Sequence, residues 1–422
     1  MLKFMSILGI VISALFTLLY FYQIVYAVVA VIHKRKLNRL PSAKKLHSFG
    51  IIISARNEEA VIGQLIESVK QQNYPSDLVK IFVVADNCTD RTAQVARKAG
   101  AIVYERFNRE LVGKGYALDY LFKKLLQLGD RVCDAFLILD ADNLLEENYL
   151  SEMNKTFDQG YKIVTGYRNS KNYDSNWISA GYSLWFMRES EYLNYPRMLF
   201  GVSCAVSGTG FMVAEEIIRK NYGWKHFLLT EDIEFTIDTV ISGQKVGYSQ
   251  NAMLYDEQPT TFMQSWHQRM RWARGFYQVL HRYGFTLLKT MFKNRNFSCF
   301  DMMMSIIPAL IITITVLIIN FGCLIYGACL ATPLGAQIVT TSLISIVQML
   351  IGYYCILFIL GLLTTITEWK KIKCPNSKKI LYLFTFPLFM LTYIPIAICA
   401  MFKKVKWVPI PHNVVKSLND VR

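Results

Sequence analysis

The sequence has no Cys-x-x-Cys pair and no cluster of cysteines and histidines at zinc-ligand spacing. Its nine cysteines are scattered, and Cys323, Cys329, Cys355 and Cys399 fall inside apolar runs. Neither a zinc centre nor a disulfide framework is indicated, and the thiols read as reduced packing residues. A Walker A loop is also missing, so this is not a P-loop protein. There is no internal repeat and no low-complexity tract. Acidic residues are few: 31, against 46 lysines and arginines, which leaves a net charge of +15. That sign suits nucleic acid, anionic lipid or a phosphorylated substrate, and the position of the charge has to separate them.

Apolar sequence is in excess. Hydrophobic residues make up 53% of the 422. From about Phe4 to Ile32 the chain is almost wholly apolar, longer than a signal-peptide core and without an A-x-A-like cleavage end. This predicts a retained transmembrane helix over residues 1–33. The stretch HKRKLNR follows, then Lys44 and Lys45, and basic flanks mark the cytoplasmic side. Three more apolar stretches, about Met302 to Leu330, Ala336 to Thr367 and Ile380 to Phe402, define a membrane region over residues 301–403. The linker EWKKIKCPNSKK between the last two is basic, so it is expected in the cytosol. One further crossing would then put the basic tail, residues 404–422, outside, against the same rule. Pro387 and Pro395 in the last stretch favour a re-entrant hairpin and a cytosolic tail. Much of the positive charge thus flanks spans, which argues for membrane lipid as a partner and against nucleic acid.

Residues 48–260 have the texture of a soluble α/β domain. FGIIISA, KIFVVAD, AIVYER and AFLILDAD read as buried strands. Between them EEAVIGQLIESVKQQ and TDRTAQVARKAG read as helices, the second capped near Thr89 or Asp90 and stopped at Gly100. Alternation of this kind predicts a parallel, doubly wound sheet whose ligands bind beyond the carboxyl ends of the strands. Residues 261–300 interleave aromatics and methionines with basic residues, as amphipathic helices in a membrane interface do.

The acids at strand ends carry the chemistry. ILDADN places Asp140 and Asp142 one residue apart, so strand alternation lets both point the same way. Hard divalent cations such as Mg²⁺ or Mn²⁺ take such oxygen ligands together with substrate phosphates; the alternative is a pair of solvated loop acids. VVADNCTD repeats the placement with Asp86, which the capping residues leave free for a nucleotide base or ribose. Arg56 and Glu58 follow the first strand, and VGKGYAL sets Lys114 between two glycines, where backbone and charge can approach a phosphate. LLTEDIEF puts Glu231 and Asp232 at a helix start with Thr230 as its cap. Such acids suit the helix dipole, and one of them can also serve as a general base. In QRMRW, Gln268, Arg271 and Trp272 share one helical face. Arginine and amide can clamp a diphosphate, and tryptophan can carry a sugar ring.

The order of DNCTD, GKG, DAD, TED and QRMRW resembles membrane-embedded family 2 glycosyltransferases, the relatives of cellulose, hyaluronan and poly-N-acetylglucosamine synthases. The motifs run from about Ser54 to Arg274. The resemblance implies a GT-A-type sheet domain in the cytosol, inserted between the first transmembrane helix and the carboxy-terminal set. It implies that Asp86 contacts the uridine nucleotide with Arg56, Glu58 and Lys114 nearby, that Asp140 binds the diphosphate side, and that Asp142 binds the metal. Asp232 becomes the general base beside Glu231. Gln268, Arg271 and Trp272 hold pyrophosphate and acceptor, Arg269 is a tolerant motif position, and Ser207 and Gly208 line the acceptor entrance. The activity implied is inverting, processive β-transfer from a UDP-sugar to a growing polysaccharide, with UDP-glucose and a β-glucan as the expected pair. Transfer of one sugar to a lipid is the alternative, and a non-catalytic membrane-anchored binding protein is the remote one.

Overall fold

The computed structural model describes all residues except 1, 35–40, 130, 307, 331, 411 and 413. Most of the basic stretch after the first helix therefore lies outside the described residues.

Eight strands form one sheet: β1 Phe49–Ala55, β2 Val79–Asp86, β3 Ile102–Arg106, β4 Ala135–Asp140, β5 Leu144–Leu145, β6 Ile163–Ser170, β7 Phe211–Ala214 and β8 Val246–Asp256. Their order is β3-β2-β1-β4-β7-β6-β8-β5. The first four are mutually parallel. The α/β sheet domain is present, but the expected all-parallel arrangement is not: β7 runs antiparallel to both β4 and β6, and β5 runs antiparallel to β8. Strand direction depends on connections of tens of residues, to which local periodicity is blind.

Near-continuous apolar strands are stable only when both sheet faces are covered. Successive side chains here enter two different cores. Ile51 and Ile53 pack on one face with Leu65, Ile66 and Leu150. Ile52, Phe82 and Val84 pack on the other with Leu118, Phe122 and Trp224. The pairing aligns the carboxyl ends of the central strands, with Ala55 opposite Ala85 and Ser54 opposite Asp140. Asp86, Asp140 and the loop after β1 thus reach one edge.

Among the described residues four helical segments are long and apolar enough to cross a membrane: Ala14–His33, Ile312–Cys329, Pro333–Thr367 and Asn376–Phe402. The amino-terminal helix, Leu2–Lys34, meets the sheet domain through Gln23, which accepts from Arg188, and around one buried acid. Asp301 accepts from Tyr22 and Tyr26 and from Arg197 Nε and Nη2 at 2.8 and 2.7 Å.

The last apolar segment bends at Thr392 but does not turn back as a hairpin, because Thr392 keeps helical angles (φ −64°, ψ −13°). It lies along the catalytic domain. Lys378 Nζ donates to Asp174 O near its start, and Tyr277 and Arg274 donate to Ala397 O and to Ala400 and Met401 O near its end. The tail then returns to the sheet domain. Leu418 and Val421 pack on Leu144 and Tyr255, and Arg422 pairs with Glu146 and Glu147.

Residues 261–300 hold a helix of 32 residues, Phe262–Lys293, started by a Thr261–Gln264 capping box. Phe297–Ile306 follows it.

Candidate active site

At the end of β4 the Asp140 N–H donates to Asn143 Oδ1 and Thr209 Oγ1, which fixes the turn into Ala141 and Asp142. The Asp140 carboxylate is half-exposed and takes Lys114 Nζ at 2.5 Å; the same ammonium donates to Gly208 O at 2.7 Å. Asp142 is buried and accepts from Glu257 N at 2.8 Å. Burial alone would raise its pKa, but the nearby charges of His412 and Lys171 and the Glu257 N–H outweigh it, and the carboxyl is held below the usual range.

Gly208 sits at φ +76°, a backbone conformation that L side chains rarely adopt. This turn points its N–H at Asp232 Oδ2, 2.6 Å away. Asp232 and Glu231 open the helix Glu231–Ile241. Both are half-buried, and desolvation raises both pKa values; that of Glu231, raised further by Asp232, reaches about 7. Thr230 occupies the N-cap position, but its hydroxyl does not cap: Oγ1 is buried without a partner among the described residues. Glu231, Asp232 and Glu234 in the first turn offset the helix dipole instead.

The QRMRW helix docks on this acidic turn through Gly275. A Cβ there would lie 2.5 Å from Thr230 Oγ1 and Cγ2, so only glycine allows the approach. Arg271 is close enough to Glu231 to pull its pKa down against the burial effect. Gln268 Oε1 and Arg271 Nε are buried and unpartnered among the described residues, a costly arrangement for polar atoms unless a ligand meets them. Trp272 packs edge-on against Tyr182 and Phe186, with centroids 5.6 and 6.0 Å away. Arg269 is not a tolerant position. It is 2% exposed and donates to Phe389 O and Thr392 Oγ1 at 2.9 and 2.8 Å.

Asp86 is not free either: it is buried in an ion pair with Arg106, and Asn87 donates to it as well. The helix starts later than expected, with Arg91 at the N-cap position and no side-chain cap; Asp90, one residue earlier, accepts from Thr92 N and Oγ1. Glu58 is buried and bonded to His412 at 2.9 and 3.1 Å, and Arg56 lies 5.2 Å from the Trp407 ring. The tail therefore reaches the same edge. Strand-end reasoning passed over Asp256, although it ends β8 as Asp140 ends β4. It is buried beside Arg168, and burial outweighs that guanidinium and pushes its pKa up to about 6. No signal in the sequence pointed to His412 or Trp407.

The oxygen donors Asp140 and Asp142 fit a hard cation held mainly by substrate phosphates, which needs only one or two protein carboxylates. A group of three or more His, Cys, Asp or Glu able to cage a metal is absent among the described residues. The sheet edge thus joins Lys114 and Arg271, the carboxylates of Asp140 and Asp142 and a desolvated acid pair, an arrangement that suits a glycosyltransferase of GT-A type.

Known proteins place it further. The family profile described as "Glycosyltransferase like family 2" matches residues 47–275, more than half of the chain, and the chain belongs to that family. Relatives include a probable glycosyltransferase, YdaM, of Bacillus subtilis (27% identical over 262 residues, 57% of this chain and 58% of that one). A beta-monoglucosyldiacylglycerol synthase of Synechocystis is 28% identical over 234 residues, 54% of this chain and 47% of that one. A poly-beta-1,6-N-acetyl-D-glucosamine synthase of Staphylococcus epidermidis is 24% identical over 294 residues, 65% and 69% of the two chains. The chain spans only about half to three-fifths of the first two of these relatives. The fold resembles the mannosyltransferase PcManGT of Pyrobaculum calidifontis, solved with GDP-Man and Mn2+: TM-score 0.51, 14% identity, 94% of this chain and 99% of that one.

The acid pair gives a stability prediction. The Glu231 pKa rises from 4.5 to about 7 on folding, so its stabilising contribution is complete below 4.5 and lost as pH rises through 7. Glu231→Gln cannot ionise. It is expected to be about 1–2 kcal/mol more stable than the unmodified protein at pH 8, after discounting for solvent access, and nearly equal at pH 5. Thermal unfolding at the two pH values checks this; a difference independent of pH would contradict it.

Proposed function

We propose that the chain is an inverting β-hexosyltransferase that takes its sugar from a cytosolic UDP-sugar and places it on a hydroxyl presented at the membrane surface. The observation that carries this reading is the meeting of the Asp232 carboxylate, the Lys114–Asp140 pair and Arg271 around the Gly208 turn. Asp232 accepts the proton of the acceptor hydroxyl, whose oxygen attacks the anomeric carbon. The bond from that carbon to the diphosphate oxygen breaks on the opposite face, and its electron pair leaves on UDP. Lys114, Arg271 and Gln268 hold the diphosphate, and Ser207, Gly208, Thr230 and Trp272 receive the acceptor. Arg56, Glu58 and Asp86 form the nucleotide end, with Asp86 acting from its pair with Arg106. Mg²⁺ or Mn²⁺ on Asp142 and Asp140 would neutralise the leaving diphosphate. No second carboxylate nucleophile is needed, so an α-linked donor yields a β-linkage.

The arrangement in the membrane follows the positive charges. Lys371 over the Tyr167 ring, Lys378 at Asp174 O and Lys416 at Lys171 O lie beside the sheet domain, and positive flanks face the cytosol. Residues 1–33 then cross once, 308–329 and 333–367 form a return pair, and 376–402 runs along the domain at the interface. Exposed apolar residues cover the sides of these spans, as lipid contact requires, and the glucosyldiacylglycerol synthases among the relatives support an acceptor that stays in the lipid. The second reading is a processive β-glucan synthase that passes its polymer through the membrane. It draws on the aromatic wall of Tyr182, Phe186 and Trp272 and on the poly-N-acetylglucosamine synthases among the relatives.

Purified protein in nanodiscs, given each UDP-sugar and Mg²⁺ or Mn²⁺, is expected to release UDP and form a β-linked glycolipid. Chelation with EDTA should suppress the release. A long enzyme-digestible polymer would select the second reading. Failure of every UDP-sugar to yield UDP would overturn both.

A further inference from the structure

One acid on the acceptor side has no role in the reaction described above. Glu189 ends the helix Trp177–Glu189, where the chain widens into a π-helical turn, Ser190–Asn194. Such turns interrupt regular helices frequently at functional sites. Its Oε2 accepts from Ser207 Oγ at 3.3 Å, while the next residue, Gly208, donates its N–H to Asp232. Consecutive residues are 3.8 Å apart, so the two carboxylates lie within roughly 10 Å of each other, flanking one turn.

The charges around Glu189 restrict what can bind. Arg168, Arg188 and Arg197 all act on it electrostatically, yet none forms an ion pair with it among the described residues. Arg168 is committed to Asp256, and Arg197 to Asp301. Arg188 bonds Gln23 through Nη2, but its Nε is buried without a partner, in a residue only 8% exposed. Glu189 and Arg188 therefore balance, and the local charge is near zero. On the same wall Arg168 stacks 3.6 Å over Phe186, which touches Trp272. Carboxylate, guanidinium donor and aromatic face together match a neutral sugar; a phosphate would meet the carboxylate.

We propose that Glu189 is an acceptor-binding residue that accepts hydrogen bonds from neighbouring hydroxyls of a neutral sugar ring, so that another hydroxyl of that ring is aimed at Asp232. The acceptor is then a glycoside end, on a glycolipid or on a glycan, and not a lipid phosphate. This deepens the proposed glycosyl transfer and rests on it.

The test uses binding as well as turnover, on the full chain in nanodiscs. Cellobiose and N,N′-diacetylchitobiose, and separately UDP, are titrated calorimetrically into the unmodified protein and into Glu189→Gln and Glu189→Asp. Loss of a charged acceptor should weaken disaccharide binding about tenfold in Glu189→Gln and leave UDP binding unchanged. Glu189→Asp should recover part of the loss. In turnover the same loss should raise acceptor KM and leave donor KM and kcat unchanged. Equal disaccharide binding by Glu189→Gln and the unmodified protein overturns the proposal, as does an equal loss of UDP binding, which would reduce Glu189 to a support for the turn at Ser207. Failure of the transfer reading itself shows differently, as disaccharide binding without UDP release.

Discussion

Asp232→Asn is expected to lower the rate of transfer by about 10²–10⁴-fold, the usual contribution of a positioned base, and to leave folding and UDP binding intact. Asparagine keeps the size of the side chain and an oxygen that can accept the 2.6 Å bond from Gly208 N. The Gly208 turn, whose carbonyl holds Lys114 beside Asp140, should therefore not move. What is lost is the basic oxygen facing the acceptor. The environment suits that role: desolvation raises the Asp232 pKa, which makes the carboxylate a stronger base, while Lys114 and the backbone N–H groups of Gly208 and Ile233 favour its charged form. Activity should thus fall as the pH drops through this raised pKa. Calorimetry with UDP and single-turnover assays with labelled UDP-sugar separate binding from chemistry. Normal transfer by the asparagine variant would remove Asp232 from the reaction.

What the sequence makes legible here is what is local. Acids at the ends of apolar strands announce themselves, and Asp140 and Asp142 lie at the edge where strand patterning puts them. The edge also needs partners from far along the chain. Glu58 meets His412 across 354 residues, and Arg168 meets Asp256 across 88. No periodicity reports such pairs. The same limit explains β7, four residues long and antiparallel to its neighbours, and the last apolar segment, whose prolines read as a reversal but produce only a bend. Asp256 differs from these, since the strand-end rule covers it and was not carried far enough along the chain.

The arginines of QRMRW extend the lesson, because composition alone gives them one shared task. Arg271→Ala should cut activity about 10²–10³-fold, as loss of one preorganised donor to developing charge does, with little change in unfolding temperature. Its Nε is without a partner among the described residues, and its charge acts on Glu231 in the candidate site. Arg269→Ala should instead act through stability. That guanidinium is buried over the Phe389 ring at 4.3 Å and ties the helix to Phe389 O and Thr392 Oγ1 at the bend of the last apolar segment. Its removal leaves a cavity and takes one donor each from Phe389 O and Thr392 Oγ1, which keep the bond between themselves, a loss of about 2–5 kcal/mol. Lysine cannot supply the same fork, so Arg269→Lys should recover only part of it. Arg274→Ala gives up only the longer contacts to Ala400 and Met401 O, at 3.4 and 3.3 Å, and should cost least. Thermal unfolding and UDP release measured on all four variants decide the matter. If Arg271→Ala and Arg269→Ala lose stability and activity in the same proportion, the helix is a membrane strap throughout, and the assignment of Arg271 to the donor fails.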